Sequence, residues 1–227
     1  MKTPQAIFFD INETLLDINA MKPGLSTVLG NDESIVELWF TQLLHHSLVE
    51  IASSQFHDFI DIGAATLIMV AHSRGIVLDG DTAKATIKKH ITALPAHADV
   101  APTLTALHSK GIKLVALSNS SEKGLHAQLE FANIKHYFHQ ILSVETLGIY
   151  KPHPQVYHWA CRQANVKNED AIMVAAHGWD VSGAKATGMK TIFVERPGKM
   201  MYPLGLSPDH AVKTMTELDT LVMPSYG

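Results

Sequence analysis

Ala6-Ile-Phe-Phe-Asp10 is a run of four apolar residues closed by an acid. Its length and texture are those of a buried strand that ends at a polar group. No second strand follows for a long way. From about Asn19 to Leu94 the sequence reads as helix. Within Ser34 to Val49, the residues Ile35, Leu38, Trp39, Leu43 and Leu48 recur near a helical period. Phe56, Phe59, Ile60 and the apolar run Ala64 to Ala71 mark a second helix. Asp81 to Leu94 marks a third, N-capped by Asp79 or Asp81. After Pro95 the texture changes. Strands are expected at Ile112–Leu117, Gln140–Ser143, Ala171–Ala176 and Lys190–Val194. Helices are expected at Glu122–Ala132, Pro154–Ala164 and Asp180–Ala186, and Gly111 closes a further helix before the second strand. Alternating strands and helices predict an α/β fold, a parallel sheet with helices on both faces. The chain then divides into a core from 1–15 and 97–227 and a helical insertion at 16–96.

Composition excludes several classes. The chain has 227 residues, 46% hydrophobic and 18% charged, a globular balance far from that of a disordered chain. Eighteen Lys and Arg face 22 Asp and Glu, a net charge of −4 with no basic block, so no nucleic-acid surface is expected. The longest apolar stretch, Ile62 to Ala71, is about half a membrane span, so no membrane partner is expected. A single cysteine, Cys161, rules out an intrachain disulfide framework. With no targeting pattern in the first ten residues, a cytoplasmic setting is expected.

In open α/β sheets, ligands sit at the carboxyl ends of the strands. Four expected strand ends carry polar residues: Asp10, Ser118-Asn119, Lys151 in the loop after the third strand, and His177 to Asp180. Alone, Asp10 reads as a turn acid or helix cap. With three other polar strand ends converging on it, it reads as part of a ligand site. A carboxylate can displace a leaving group, form an ester and be released by water. It must stay ionised, and Lys151 is the lysine expected near those strand ends. Asp180 supplies a second carboxylate, to accept a proton from water or to bind a cation.

The ordered set F-F-D-I-N-E-T-L-L-D at Phe8–Asp17, L-S-N-S at Leu117–Ser120, Y-K-P-H-P at Tyr150–Pro154 and H-G-W-D-V-S-G-A at His177–Ala184 resembles the haloacid dehalogenase superfamily of hydrolases. Within it, the chain is similar to the type II, L-2-haloacid dehalogenase branch. The resemblance covers nearly the whole chain. It implies a Rossmann-like core with an inserted helical cap, a small-molecule substrate, a homodimer and no required cofactor. It assigns roles by position. Asp10 is the nucleophile, with Thr14 and Ser118 hydrogen-bonding its carboxylate. Lys151 neutralises charge beside it, and Asp180 activates the hydrolytic water. Asn119 shapes a cradle for the leaving group, Tyr157 supports the site and Trp179 walls it.

Phosphatases of the superfamily use Mg²⁺ and carry a second acid two residues after the nucleophile to protonate a leaving alkoxide. A halide needs no such proton. Position 12 here is Asn, and Ala175-Ala176 precede His177 where an acidic pair is usual, so no metal site is expected beyond a weak Mg²⁺ contact at Asp10 and Asp180. The chain also departs from the dehalogenase pattern. Asn12 and Glu13 replace an aromatic and a glycine, Phe40 follows Trp39 where an Arg is usual, and Ala175 and His177 replace Ser and Asn. Phe40, Leu44 and Phe59 are therefore expected to give the substrate pocket an apolar wall, with Asn12 and His177 as further substrate-binding residues. His177 is read as a neutral hydrogen-bond donor in the Asn position. Two alternatives stay open: a Mg²⁺-dependent small-molecule phosphatase, and a catalytically silent binding protein of the same fold.

Overall fold

The computed structural model describes residues 3–222. The first strand, β1 (Ala6–Phe9), has all four side chains buried, as its unbroken apolar run requires. Helices alone follow: α1 (Lys22–Ser26), α2 (Ser34–Ala52), α3 (Phe59–Ser73) and α4 (Gly80–Ile91). Asp79 is the N-cap of α4, its carboxylate accepting from Thr82 N. Then come α5 (Val100–Ser109), β2 (Lys113–Ser118), α6 (Glu122–Phe131), β3 (Gln140–Ser143), α7 (Pro154–Gln163), β4 (Ala171–Ala175), α8 (Gly178–Ala186), β5 (Lys190–Val194), β6 (His210–Val212) and α9 (Leu218–Leu221). The short strand β6 had no signal in the sequence: His210-Ala-Val is too brief to show a period.

The six strands form one sheet in the order β3-β2-β1-β4-β5-β6, every pair parallel. Strands β1 to β3 progress one way from the centre, and β4 to β6 the other. The order reverses between β1 and β4, so the crevice outside their carboxyl ends lies at the topological switch point. Register puts Phe9 opposite Val174, and Asp10 N–H donates to Val174 O at 3.1 Å. Asp10 and the Ala176-His177 turn thus leave adjacent strands side by side.

The helical segment joins the sheet through two neighbouring chain crossings. Leu16 pairs antiparallel with Ala96. Asp17 N–H donates to Pro95 O at 2.8 Å and His97 N–H to Leu15 O at 2.9 Å. These bonds satisfy backbone groups that would otherwise be stranded where the chain leaves and re-enters the sheet layer. Above them, Trp39 is fully buried and its indole N–H donates to Gly63 O at 2.9 Å, tying α2 to α3. Among the described residues no helix is long and apolar enough to cross a membrane.

Candidate active site

Six charged groups of alternating sign run through the crevice: Lys199, Glu13, His177, Asp10, Lys151 and Asp180. The chain is built from the strand ends outward. Asp10, one residue beyond β1, is 4% exposed. Its Oδ1 accepts from Lys151 Nζ at 2.9 Å, and its Oδ2 from the Thr14 hydroxyl at 2.6 Å and from His177 Nδ1 at 2.9 Å. Lys151 Nζ also donates to Asp180 Oδ2 at 2.6 Å and to Leu117 O at 3.0 Å. Asp180, in the first turn of α8, accepts from Tyr157 OH on Oδ1 at 2.6 Å. On the other side, His177 Nε2 faces Glu13 Oε2 at 2.7 Å, and Lys199 Nζ lies 2.5 Å from Glu13 Oε1.

The electrostatics follow from this alternation. Burial pushes the Asp10 carboxyl up, but Lys151, His177 and Thr14 outweigh it and hold the group far below the usual carboxylate range. For Lys151, burial alone would favour the neutral amine; Asp10 and Asp180 outweigh it and raise the ammonium's pKa. Burial dominates at Asp180, which is raised despite Lys151. The Tyr157 phenol beside it is raised too, by burial and by the Asp180 charge, so it stays a donor. His177 is desolvated, yet its bonds to Asp10 and Glu13 lift it from 6.5 to about 9. It is therefore an imidazolium at neutral pH, not the neutral donor expected from sequence. The physical reason is Glu13, a second carboxylate on the far ring nitrogen.

The other expected site residues divide between the crevice and its surroundings. Ser118 does not reach Asp10: its hydroxyl accepts from Ser120 N–H at 3.1 Å and shapes the turn after β2. Asn119 Oδ1 accepts from Lys151 N–H at 2.9 Å, so this side chain anchors the lysine loop. Asn12 turns inward, donating to Ser120 Oγ at 3.2 Å and accepting from Gln128 Nε2 at 2.8 Å, so its amide is bonded to protein rather than offered to a substrate. Trp179 stacks on the His177 ring at 4.9 Å between centroids, and its ring centroid is 5.9 Å from Lys151 Nζ. Phe40 lines a cavity of about 250 Å³ between α2 and the loop after β5, shared with Glu13, Lys22, Glu37 and Lys199. Phe59 instead packs on Tyr150, 5.9 Å between centroids, and Leu44 packs against the core; neither borders that cavity. The expected apolar wall is thus broken by charge, because Lys22 and Glu37 project beside Phe40 and pair at 2.6 Å.

Sequence reasoning missed Glu13, Lys199 and Arg196 as site residues. Glu13 holds φ +63°, a left-handed turn conformation that glycine adopts more readily. Its departure from glycine and that of position 177 from asparagine belong together, since the two new side chains bond each other. Arg196 donates from Nε and Nη2 to Thr14 O at 3.1 and 2.9 Å, and from Nη1 to Asp99 Oδ2 at 2.8 Å, pinning the loop that carries Glu13 and Thr14. Both cations follow β5, whose carboxyl end is the one that strand-end reasoning passed over.

A family model for haloacid dehalogenase-like hydrolases matches residues 4–188. The chain is 29% identical to (S)-2-haloacid dehalogenase 1 of Pseudomonas sp. (strain CBS-3), over 96% of both chains. It is 27% identical to haloacetate dehalogenase H-2 of Moraxella sp. (strain B), over 98% of this chain and 99% of that protein. The fold matches the L-2-haloacid dehalogenase of Xanthobacter autotrophicus with a TM-score of 0.91 at 22% identity, over 96% of this chain and 98% of the other. A parallel sheet, a carboxylate at its switch point and a family match over most of the chain define a hydrolase of the α/β type. This chain belongs to the haloacid dehalogenase-like hydrolase family.

Proposed function

We propose that this protein is a hydrolytic dehalogenase of small organic halides, 2-haloacids first among them, in which Asp10 is the nucleophile. The observation that carries this reading is the placement of Lys151 Nζ between Asp10 Oδ1 and Asp180 Oδ2, at 2.9 and 2.6 Å. One ammonium keeps the nucleophile ionised in a site where burial alone would protonate it. Asp10 attacks the carbon bearing the halogen, the carbon–halogen bond breaks, and halide leaves with the electron pair. Water, deprotonated by Asp180, then cleaves the resulting ester at the Asp10 carbonyl carbon. Thr14 orients Asp10, Tyr157 orients Asp180, and Trp179 screens the pair from solvent.

No metal is required in this reading. All four carboxylate oxygens of Asp10 and Asp180 already accept a bond from a protein donor, and Lys151 occupies the space between them. A divalent cation would have to displace that ammonium, so the donor set does not fit Mg²⁺. Helices α2 to α4 act as a cap over the core from residues 16–96, supported by the paired crossings at Leu16 and Ala96. A cytoplasmic setting fits the buried free thiol of Cys161. A homodimer fits the exposed Leu38 and Val49, about three turns apart on one face of α2.

The test is halide release from a panel of 2-haloacids, alongside phosphate esters, each with Mg²⁺ or EDTA. Halide release that survives EDTA supports the reading; phosphate release that needs Mg²⁺ overturns it. A single turnover in ¹⁸O-water should leave unlabelled oxygen in the product, because Asp10 supplies it. Asp10→Asn should reduce turnover at least a thousand-fold.

A further inference from the structure

Asp10 divides its two oxygens between different surroundings. Oδ1 accepts only from Lys151, whereas Oδ2 lies in a two-donor cradle made by the Thr14 hydroxyl at 2.6 Å and His177 Nδ1 at 2.9 Å. His177 cannot turn that nitrogen elsewhere. Its other nitrogen is bonded to Glu13, its ring is stacked on Trp179, and the residue is 6% exposed. We propose that Oδ1 is the attacking atom and that Oδ2 stays the ester's carbonyl oxygen, with His177 and Thr14 forming an oxyanion hole for ester hydrolysis. His177 is then a catalytic residue of the second half-reaction. Glu13 is a positioning residue that keeps the imidazole oriented and doubly protonated. The proposal rests on the covalent ester reading above.

The electron count assigns opposite effects to the two steps. In the first, an Oδ1 lone pair forms the carbon–oxygen bond as halide departs, and Asp10 loses its charge. In the second, water adds to Cγ and the carbonyl π pair moves onto Oδ2, which carries a full negative charge at the position both donors address. Collapse restores the carbonyl at Oδ2 and breaks the Cγ–Oδ1 bond, so Oδ1 leaves in the hydroxyl product. Of the two water protons, one ends on that hydroxyl and one goes to solvent, balancing the halide. His177 keeps its own protons throughout. A second cation beside Lys151 makes Asp10 a weaker nucleophile, so His177 retards ester formation while it accelerates hydrolysis. A merely structural histidine would not act on the two steps with opposite sign.

The groups facing His177 fix its pH behaviour. Asp10 and Glu13 face its nitrogens from the loop after β1, and Trp179 covers its ring from α8. Lys199 lies behind Glu13, and Lys151 with Asp180 behind Asp10. In the ester one of the two adjoining anions is gone. His177 then loses its proton with a midpoint at or below about 9. Hydrolysis therefore slows as pH rises through that midpoint.

The experiment is rapid quench with 2-chloropropionate, read by intact-protein mass as the fraction of enzyme carrying the ester, on wild type, on the donor-free variants His177→Phe and His177→Ala, and on Glu13→Gln. The ester should accumulate in both His177 variants. Its hydrolysis should be about a hundred-fold slower, the range for losing one oxyanion donor, with formation unchanged or faster. In Glu13→Gln the alkaline slowing should move to lower pH. Wild type alone also decides the matter: its steady-state ester fraction should climb with pH. Ester decay at the wild-type rate in both His177 variants, equal slowing of both steps, or wild-type hydrolysis that speeds up with pH would each overturn the assignment. Absence of ester everywhere, together with ¹⁸O entering product in the first turnover, would instead overturn the ester reading itself.

Discussion

Lys151 is fully buried between two carboxylates, and its removal separates stability from chemistry poorly but informatively. Lys151→Met removes the cation between Asp10 and Asp180 and leaves Asp180 with none, at a cost of about 3–5 kcal/mol. The double variant Lys151→Met with Asp180→Leu should recover part of that stability while staying inactive, which thermal unfolding and halide assays would separate. His177 makes a pH prediction at the same scale. Its folded pKa, about 9, lies above its ordinary 6.5. A raised pKa means stabilisation that is fully present below about 6.5 and lost as pH rises through about 9. The shift corresponds to about 3 kcal/mol for this buried group. The depressed Asp10 pKa reports part of the same contact from the other side, so the two are counted once. Unfolding midpoints of wild type should fall over that alkaline window, and those of His177→Asn should not.

At the scale of elements, α8 must approach the lysine loop and α7 closely to bring Asp180 onto Lys151. Gly183 permits this. A Cβ there would lie 2.6 Å from Pro152 Cβ and 2.8 Å from the Tyr157 hydroxyl. Gly183→Ala should push the helix outward and loosen the Tyr157–Asp180 bond. The expected loss is about 1–3 kcal/mol of stability, with a larger fall in kcat than in KM. Unchanged kcat with lowered stability would mean that the loop, not the helix, yields.

For the whole molecule, one contiguous apolar cluster runs from β1 through Trp39, Leu67 and Ile87 to Leu218, crossing from sheet to helical segment. Parts that share a core unfold together. Calorimetry should show one transition whose calorimetric and van't Hoff enthalpies agree. Two resolved transitions would show that residues 16–96 are stable by themselves.

Much of this architecture was written in local sequence. Apolar runs such as Ala6–Phe9 and Ala171–Ala175 name buried strands, because only a residue covered on both faces of a sheet needs no polar side. The positions of Asp10, Lys151 and Asp180 at strand ends follow from the same pattern. Tertiary structure alone decided what each polar group bonds. Asn12 and Ser118 looked like site residues, yet Asn12 bonds Ser120 and Gln128 of α6, and Ser118 bonds the turn after β2. Glu13 and Lys199 looked incidental, yet they face the site from opposite ends of the chain. Hydrogen bonds and ion pairs depend on sub-ångström placement of groups separated by up to 186 positions, and no local period carries that information. The charge on His177 shows the difference most clearly. Its place beside Asp10 was legible from order along the chain, but its proton is held by a carboxylate that only the fold brings to the far side of its ring.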